Sequence, residues 1–555
     1  MAGHGEPRTE FLAGAPFGPA LRAEIAMSEL DPLSARVKTG AISRREFLGR
    51  ATALGASMAA ISSTLASIEA FAAETPKAGG ALRLGMIGGS TTDSLDIGSY
   101  ADSVMISVGR GLFNGLVEWG EDGRPKPDLS SSWEPRNGAR DWVFNLRRGV
   151  KFSDGKEFTA DDAIYSLNYH RGDSESGGKA AVSGITDVKK LDKYQIQISL
   201  SAADADLPSS LTDYHLLMAP DGFTDWANPV GTGAFRLERF DPGVSISLKK
   251  NPDFWKEGRG HLDAAEISVI SDWAARFDAL KSGQVDIINR VDPKAGVSLE
   301  KSTGLKLVRA VGGYHVVAAM QLDKAPYDNP DLRMALKFAA DREQIARALF
   351  NGYGAIGNDH PIRPTDPFFN SELPLRRHDP ERAAFYFKRS GLADPRIILQ
   401  VAESAFDGAA DMAQLMQASC GVCGIKMDIK KEPTDGYWDN VWLKGPYVAS
   451  YWSGRAAATE MLSIAYGAGS PLNETHWKNE RFEKLLLDAK SEVDEARRRP
   501  YIWEMQKMLH DDGGAIIPVF RDWLDARNER VGGDAPTGGL DMANGYILEK
   551  AWIRG

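Results

Sequence analysis

Apolar and polar residues alternate along Gly79-Gly80-Ala81-Leu82-Arg83-Leu84-Gly85-Met86-Ile87, which predicts a strand running into the polar loop Ser90-Thr91-Thr92-Asp93-Ser94-Leu95-Asp96. Shorter runs at Trp142-Val143-Phe144-Asn145-Leu146-Arg147 and Gln195-Ile196-Gln197-Ile198-Ser199-Leu200 read as hairpin strands. A helical period takes over after Thr159, where Asp161 and Asp162 in the first turn suit the positive end of the helix dipole. That period returns over 331–350, 380–390 and 480–509, and Leu485, Leu486, Ala489, Val493, Ala496 and Ile502 mark the apolar face of the last. Strands mixed with helices predict α/β (mixed α+β) architecture. No repeat, low-complexity tract or long linker interrupts the pattern, so lobes joined by several chain crossings are expected rather than beads on a string.

Length changes the picture first, because 555 residues exceed what one hydrophobic core usually serves, and two lobes follow. A net charge of -10 argues against a general binder of nucleic acid or anionic membrane, both of which need a positive field.

Ahead of the first strand, Ser43-Arg44-Arg45-Glu46-Phe47-Leu48-Gly49 places two arginines before a mildly apolar, uncharged run over 51–68, followed by small residues around Ala70-Phe71-Ala72-Ala73. This three-part layout reads as a twin-arginine secretion signal carried by Arg44 and Arg45, with cleavage after Ala72 or Ala73 and a periplasmic product. The segment before the arginines is long for such a signal, and Met27 makes a more ordinary start than Met1. No cysteine near the cleavage region is available for lipidation.

Enzyme motifs do not assemble. Gly231-Thr232-Gly233-Ala234-Phe235-Arg236 opens like a dinucleotide fingerprint but ends in arginine, which blocks the close helix packing that the last glycine permits. Gly178-Lys179 is followed by Ala180, so a phosphate loop there lacks the hydroxyl for magnesium. The histidines are scattered, and no metal site or cofactor is expected. Cys420-Gly421-Val422-Cys423 has redox spacing, yet it follows a predicted helix instead of starting one, which leaves two inert thiols or a local disulfide.

Several blocks together resemble the family 5 extracellular solute-binding proteins, the periplasmic receptors of peptide, dipeptide and nickel ABC transporters. They are Phe158-Thr159-Ala160-Asp161-Asp162-Ala163-Ile164-Tyr165-Ser166-Leu167, Pro229-Val230-Gly231-Thr232-Gly233-Ala234-Phe235-Arg236-Leu237 and Lys250-Asn251-Pro252-Asp253-Phe254-Trp255. Further on come Asp331-Leu332-Arg333-Met334-Ala335-Leu336-Lys337-Phe338-Ala339-Ala340-Asp341-Arg342 and Asp379-Pro380-Glu381-Arg382-Ala383. The resemblance implies a two-lobed clamp of the cluster C type with an extra subdomain in the first lobe. It implies a leader over 1–73, a first lobe over 74–318, a second over 319–520 and a return to the first over 521–555, with crossings near 318–323 and 516–522. It also implies a monomer that closes on a peptide or peptide-like solute and hands it to a membrane permease, without catalysis.

In peptide-binding members an aspartate after a second-lobe tryptophan pairs with the peptide amino terminus. The matching stretch is Tyr451-Trp452-Ser453-Gly454-Arg455-Ala456, where arginine stands instead. A guanidinium favours carboxylates, so Tyr451, Trp452, Ser453 and Arg455 are expected to line the cleft, and an anionic amino-acid conjugate such as an opine is the alternative ligand. Arg455 pointing to solvent or pairing with Glu460 is the bland alternative. The loop bearing Ser90, Thr91 and Asp93 is the second candidate, with Asp93 as a partner for an ammonium group. His360, Trp438 and Asn473 are expected from loop context alone. From other functional classes, an exported hydrolase or redox enzyme would need a site the sequence does not display, and a chaperone-like role would show as binding of unfolded chains.

Overall fold

A computed structural model describes residues 76–533 and 538–554. The expected leader, including Arg44 and Arg45, lies outside the described residues.

Local chemistry sets most element boundaries. The helix Ala160–Tyr169 starts where the Asp162 carboxylate accepts the Thr159 backbone N–H at 2.7 Å, matching a donor that the helix end leaves unpaired. The same carboxylate accepts from Lys156 Nζ at 2.7 Å and from the Asp221 backbone N–H at 2.8 Å, so one side chain ties the helix to two loops. The period over 331–350 divides into two helices, Pro330–Ala339 and Arg342–Phe350, because Asp341 accepts from the Gln344 N–H and caps the second. The period over 480–509 divides in the same way into Glu480–Ser491 and Glu495–Asp512, with Asp494 accepting from the Arg497 N–H.

Among the described residues eleven strands make one sheet, ten in a row and the eleventh, Gly354–Ile356, paired with Ala515–Asn528 beside the row. Its middle is an antiparallel pair of long strands, Leu305–Met320 and Ala515–Asn528, in register from Leu305 opposite Asn528 to Ala319 opposite Ala515. Outward from the first lie Tyr447–Trp452, Ile397–Val401 and Met427–Lys431. Outward from the second lie Ile287–Ile288, Ala81–Met86, Ala264–Val269, Ser245–Lys250 and Phe235–Asp241.

Two lobes share that sheet. Val316, Val317 and Met320 belong with Ile516, Ile517 and Phe520 to the second lobe's core. Leu524 and Ala526 pack instead with Leu280, Val285, Ile288 and Leu299, against which Leu305 and Leu307 also lie. Another first-lobe core joins Leu82, Leu84, Ile246 and Ile267 to Ile547, Leu548 and Ile553, so the last described residues finish what the first strand begins. A four-stranded antiparallel sheet of Ser130–Arg136, Asp141–Leu146, Gln195–Leu200 and Ile185–Asp192 holds its own core, in which Phe144 and Ile196 meet Ala163 and Leu167 of the helix Ala160–Tyr169.

The glycine pair that resembled a nucleotide loop is a packing joint. A Cβ on Gly231 would stand 2.1 Å from Leu112 O and one on Gly233 2.3 Å from Gly111 O, at the end of the helix Ser103–Leu112. Around it Thr232 Oγ1 donates to Asn114 Oδ1 at 3.0 Å, Asn251 Nδ2 to Gly233 O at 2.9 Å and Trp255 Nε1 to Asn114 Oδ1 at 3.2 Å. Cys420 and Cys423 are unbridged and buried, around the C-terminal end of the helix Ala409–Val422. Burial pushes the Cys420 thiol up to about 12, which suits neither a nucleophile nor a redox centre. Among the described residues, no helix is long and apolar enough to cross a membrane.

Candidate functional site

Where the two long strands pass between lobes, their pairing slips between Val311 and His315, leaving Gly312, Gly313 and Tyr314 out of register. Beside the slip runs Tyr447–Trp452, with Tyr451 opposite Val316 and Trp452 opposite His315. Its neighbour in sequence, Gly454, comes so near that a Cβ on Gly313 would stand 2.6 Å from the Gly454 Cα. Only paired glycines permit that approach.

Strand alternation sends Tyr451 and Trp452 to opposite faces. Tyr451 is 36% exposed and stacks on Tyr314, ring centres 4.9 Å and planes 23° apart, while Trp438 meets it edge-on at 5.6 Å. These three rings form an apolar wall of the kind a ligand's carbon skeleton packs against. Trp452 turns inward and is buried, its Nε1 donating to Glu474 at 2.8 Å. Glu474 also accepts from Ser450 Oγ and Trp442 Nε1, each at 2.6 Å, and burial still holds its carboxyl above the usual range. The expected wall residue Trp452 is thus tied up in the scaffold beneath the wall.

Ser453 is exposed, and its carbonyl accepts from Arg455 Nη1 at 3.0 Å. The Arg455 side chain is 29% exposed, and its Nε lies 3.7 Å from Glu460. Burial pushes the Glu460 carboxyl up to about 7, against the pull of Arg455, leaving it only partly ionised at neutral pH.

The second candidate loop is closed on itself. Asp93 accepts the Ser90 N–H at 2.7 Å, Ser90 Oγ and Thr92 Oγ1 share a hydrogen bond at 2.9 Å, and the Thr91 backbone nitrogen lies close against Gly243. Burial, with Asp102 nearby, raises the Asp93 carboxyl. No hydrogen bond or ion pair among the described residues links this loop to Tyr451 or Arg455.

His360 and Asn473 are enclosed. His360 packs on Phe369 with neither ring nitrogen in a hydrogen bond, and burial pushes it down to about 3. Asn473 Nδ2 donates to Trp477 O at 2.8 Å and its Oδ1 accepts from Thr475 Oγ1 at 3.0 Å, which makes it a loop brace. Asn473 shows how a loop that folds into the core matches its polar groups there, while His360 is enclosed without a match.

Several residues at the junction carried no sequence signal. Arg521, on the second crossing strand, lies with its guanidinium 5.8 Å from the Tyr314 ring. Arg363, in a loop between prolines, is buried with its guanidinium 5.2 Å from the Trp119 ring of the other lobe. The lobes also meet directly. Asp206 accepts from Arg498 Nη1 at 2.7 Å and makes shorter contacts with Arg498 Nη2 and Thr459 Oγ1, all three residues being buried. At the rim, Arg124 donates to both oxygens of Glu495 at 3.0 and 2.9 Å.

Residues 124–473, well over half of the chain, match the model of the bacterial extracellular solute-binding proteins, family 5 middle. A di/tripeptide-binding protein 3 from Pseudomonas aeruginosa (strain UCBPP-PA14) is 26% identical over 444 residues, covering 72% of this chain and 82% of the relative. Among solved structures, HbpA2 from Haemophilus parasuis superposes with a TM-score of 0.77 at 18% identity, covering 86% of this chain and 100% of that one. AgaA in complex with agropinic acid, from A. tumefaciens R10, gives 0.67 at 23% identity, with 86% and 99% covered. The two structures share the two-lobed fold.

Proposed function

Because the chain belongs to family 5 of the bacterial extracellular solute-binding proteins, we propose that it is the periplasmic receptor of an ABC importer, capturing a peptide or peptide-like solute between its lobes and delivering it to a membrane permease. The observation that carries this reading is the junction itself. Among the described residues the two long strands, Leu305–Met320 and Ala515–Asn528, run from one core to the other, their pairing slips at Gly312, Gly313 and Tyr314, and a partly exposed wall of Tyr451, Trp438 and Tyr314 stands beside the slip. We place the hinge at that slip and opposite it at residues 520–522. Closure then brings the wall against the first lobe, where Asp206 meets Arg498. A solute touching both lobes binds the closed form better and shifts the population towards it. Relatives described as di/tripeptide-binding favour a peptide. Export by the twin-arginine translocase through Arg44 and Arg45, and a monomeric state, complete the reading.

Arg455 favours a second reading, an anionic amino-acid conjugate such as an opine, because it stands where a peptide's ammonium group would meet an aspartate. Asp93 would then be the ammonium partner of a peptide only if the first-lobe loop moves to the cleft.

A thermal-shift panel on the protein decides between them. Ligand at a hundredfold excess over its dissociation constant adds about 2.7 kcal/mol of stability. Di- to pentapeptides are expected to raise the melting point, and Tyr451→Ala to reduce the shift. If opine-type dicarboxylates alone raise it, and Arg455→Ala abolishes that, the second reading replaces the first. A panel with no shift from either class removes the receptor reading.

A further inference from the structure

The crossing strands bring one unmatched cation against the aromatic wall. Arg521 lies on the second long strand, next to Phe520, which pairs with His315 at the end of the slip. The backbones run so close there that a Cβ on Gly312 would stand 2.4 Å from Arg521 O. The Arg521 side chain is half-buried, with its guanidinium over the Tyr314 ring, 5.8 Å from the ring centre. Its Nε is buried without a hydrogen-bond partner, and no hydrogen bond or ion pair among the described residues involves its Nη1 or Nη2. Burial works against its charge and Arg290 repels it, while the Asp407 and Asp541 carboxylates attract it from beyond ion-pair distance. Asp541 is already held by Ser103, Asn289 and Arg290. The carboxylate next in sequence, Asp522, is turned to the opposite face of the strand and pairs with Arg309.

Direct contacts join this cation to the wall. Tyr314, beneath the guanidinium, stacks on Tyr451 with ring centres 4.9 Å apart, and Tyr451 meets Trp438 at 5.6 Å. The row therefore begins with idle N–H donors and continues as ring faces. A half-buried guanidinium that nothing in the chain matches is a costly arrangement unless a ligand group completes it. Its planar fork suits the two oxygens of a carboxylate, and the ring faces suit a carbon side chain bonded beside that carboxylate.

We propose that Arg521 anchors a carboxylate of the solute, and that the solute carries an apolar side chain beside that carboxylate, laid on Tyr314 and Tyr451. The proposal rests on the receptor reading above and narrows it to short peptides with a free carboxyl terminus and an apolar last residue. Arg521 stands on a strand that both lobes share, so the anchor is in place whether the lobes are open or closed. It serves capture, and the preference for the closed form comes from contacts made across the cleft.

The test is calorimetric titration with the peptides Ala-Phe and Ala-Ala-Phe and with the C-terminal amide of each, on the protein and on Arg521→Gln and Arg521→Lys. The acids are expected to bind about tenfold or more tightly than the amides. Arg521→Gln is expected to weaken the acids to the level of the amides and to leave the amides as they were, while Arg521→Lys keeps part of the preference. The ligand-free melting point of Arg521→Gln is expected not to fall, because the head group it removes has no partner. Equal binding of acid and amide by the protein, or a preference undiminished in Arg521→Gln, overturns the anchor and leaves the peptide receptor standing. Equal weakening of acid and amide in Arg521→Gln assigns the residue to the frame and overturns the anchor as well. No binding of any of the four peptides overturns the anchor together with the peptide reading.

Discussion

Single side chains show how burial and partners compete. Lys337 is fully buried, and its Nζ donates to Leu509 O at 2.9 Å and His510 O at 3.0 Å. Burial, reinforced by Arg376 and Arg342 and opposed by Asp359, pushes it down to about 7. Above pH 7 the unfolded lysine keeps its proton while the folded one loses it, so stability should rise with pH from about 7 towards 10, by at most about 1.4 kcal/mol per unit. Denaturant melts across that range on the protein and on Lys337→Met check this, and the variant should lose the slope. Asp359 holds the opposite position. Arg342 reaches both its oxygens at 2.7 and 2.8 Å and Arg376 one at 3.0 Å, holding the carboxyl well below its usual range despite complete burial. Asp359→Ala strands two buried guanidinium groups and should cost about 3–5 kcal/mol in urea unfolding. The same logic made Arg455 legible in the sequence and left Arg363 silent. A motif position has neighbours that define it, whereas Arg363 gains meaning only from Trp119, Gly313 and Gly454, far away in the chain.

Elements were legible to the extent that their determinants are local. Asp141–Leu146, Gln195–Leu200 and Ala160–Tyr169 follow the alternation, the period and the capping residue. The breaks at Asp341 and Asp494 were not, because an apolar stripe runs on across an aspartate that turns outward to cap. Asp341→Ala should destabilise by about 1 kcal/mol, read from the urea midpoint. The helix Ala409–Val422 carries a sharper expectation, since Cys420 and Cys423 are both buried. Iodoacetamide should leave both unmodified in the native protein and label both in denaturant, as mass spectrometry would show. The slip at Gly312, Gly313 and Tyr314 was hidden for another reason. Pairing register depends on the partner strand, which arrives some two hundred residues later.

At the scale of the molecule, the contacts between lobes divide into two kinds. Arg124 and Glu495 are exposed and worth about 0–1 kcal/mol, so Arg124→Ala should change ligand affinity little. Asp206 with Arg498 and Thr459 is buried where the two lobes meet. Asp206→Asn should therefore weaken binding of any ligand that needs closure, by about tenfold for each 1.4 kcal/mol lost, and raise the radius of gyration seen by X-ray scattering in its presence. The two-lobed fold and its family were legible from short blocks that turn out to be structural joints, Gly231, Thr232, Gly233, Asn251 and Trp255 among them. They name the frame and leave the solute to residues that no block contains.

The first described strand and the last described residues share one core, and this sets the order in which that core can be completed. A ribosome delivers the whole second lobe before it releases Asp541, which accepts from Ser103, or Glu549, which holds Lys256 and Arg259. The first lobe, although synthesised earlier, must wait with Leu82 and Ile246 uncovered until Ile547 and Leu548 arrive. A variant truncated after residue 532 would keep the second lobe's core and lack Ile547 and Leu548 from the first lobe's, so limited proteolysis should attack the first lobe first.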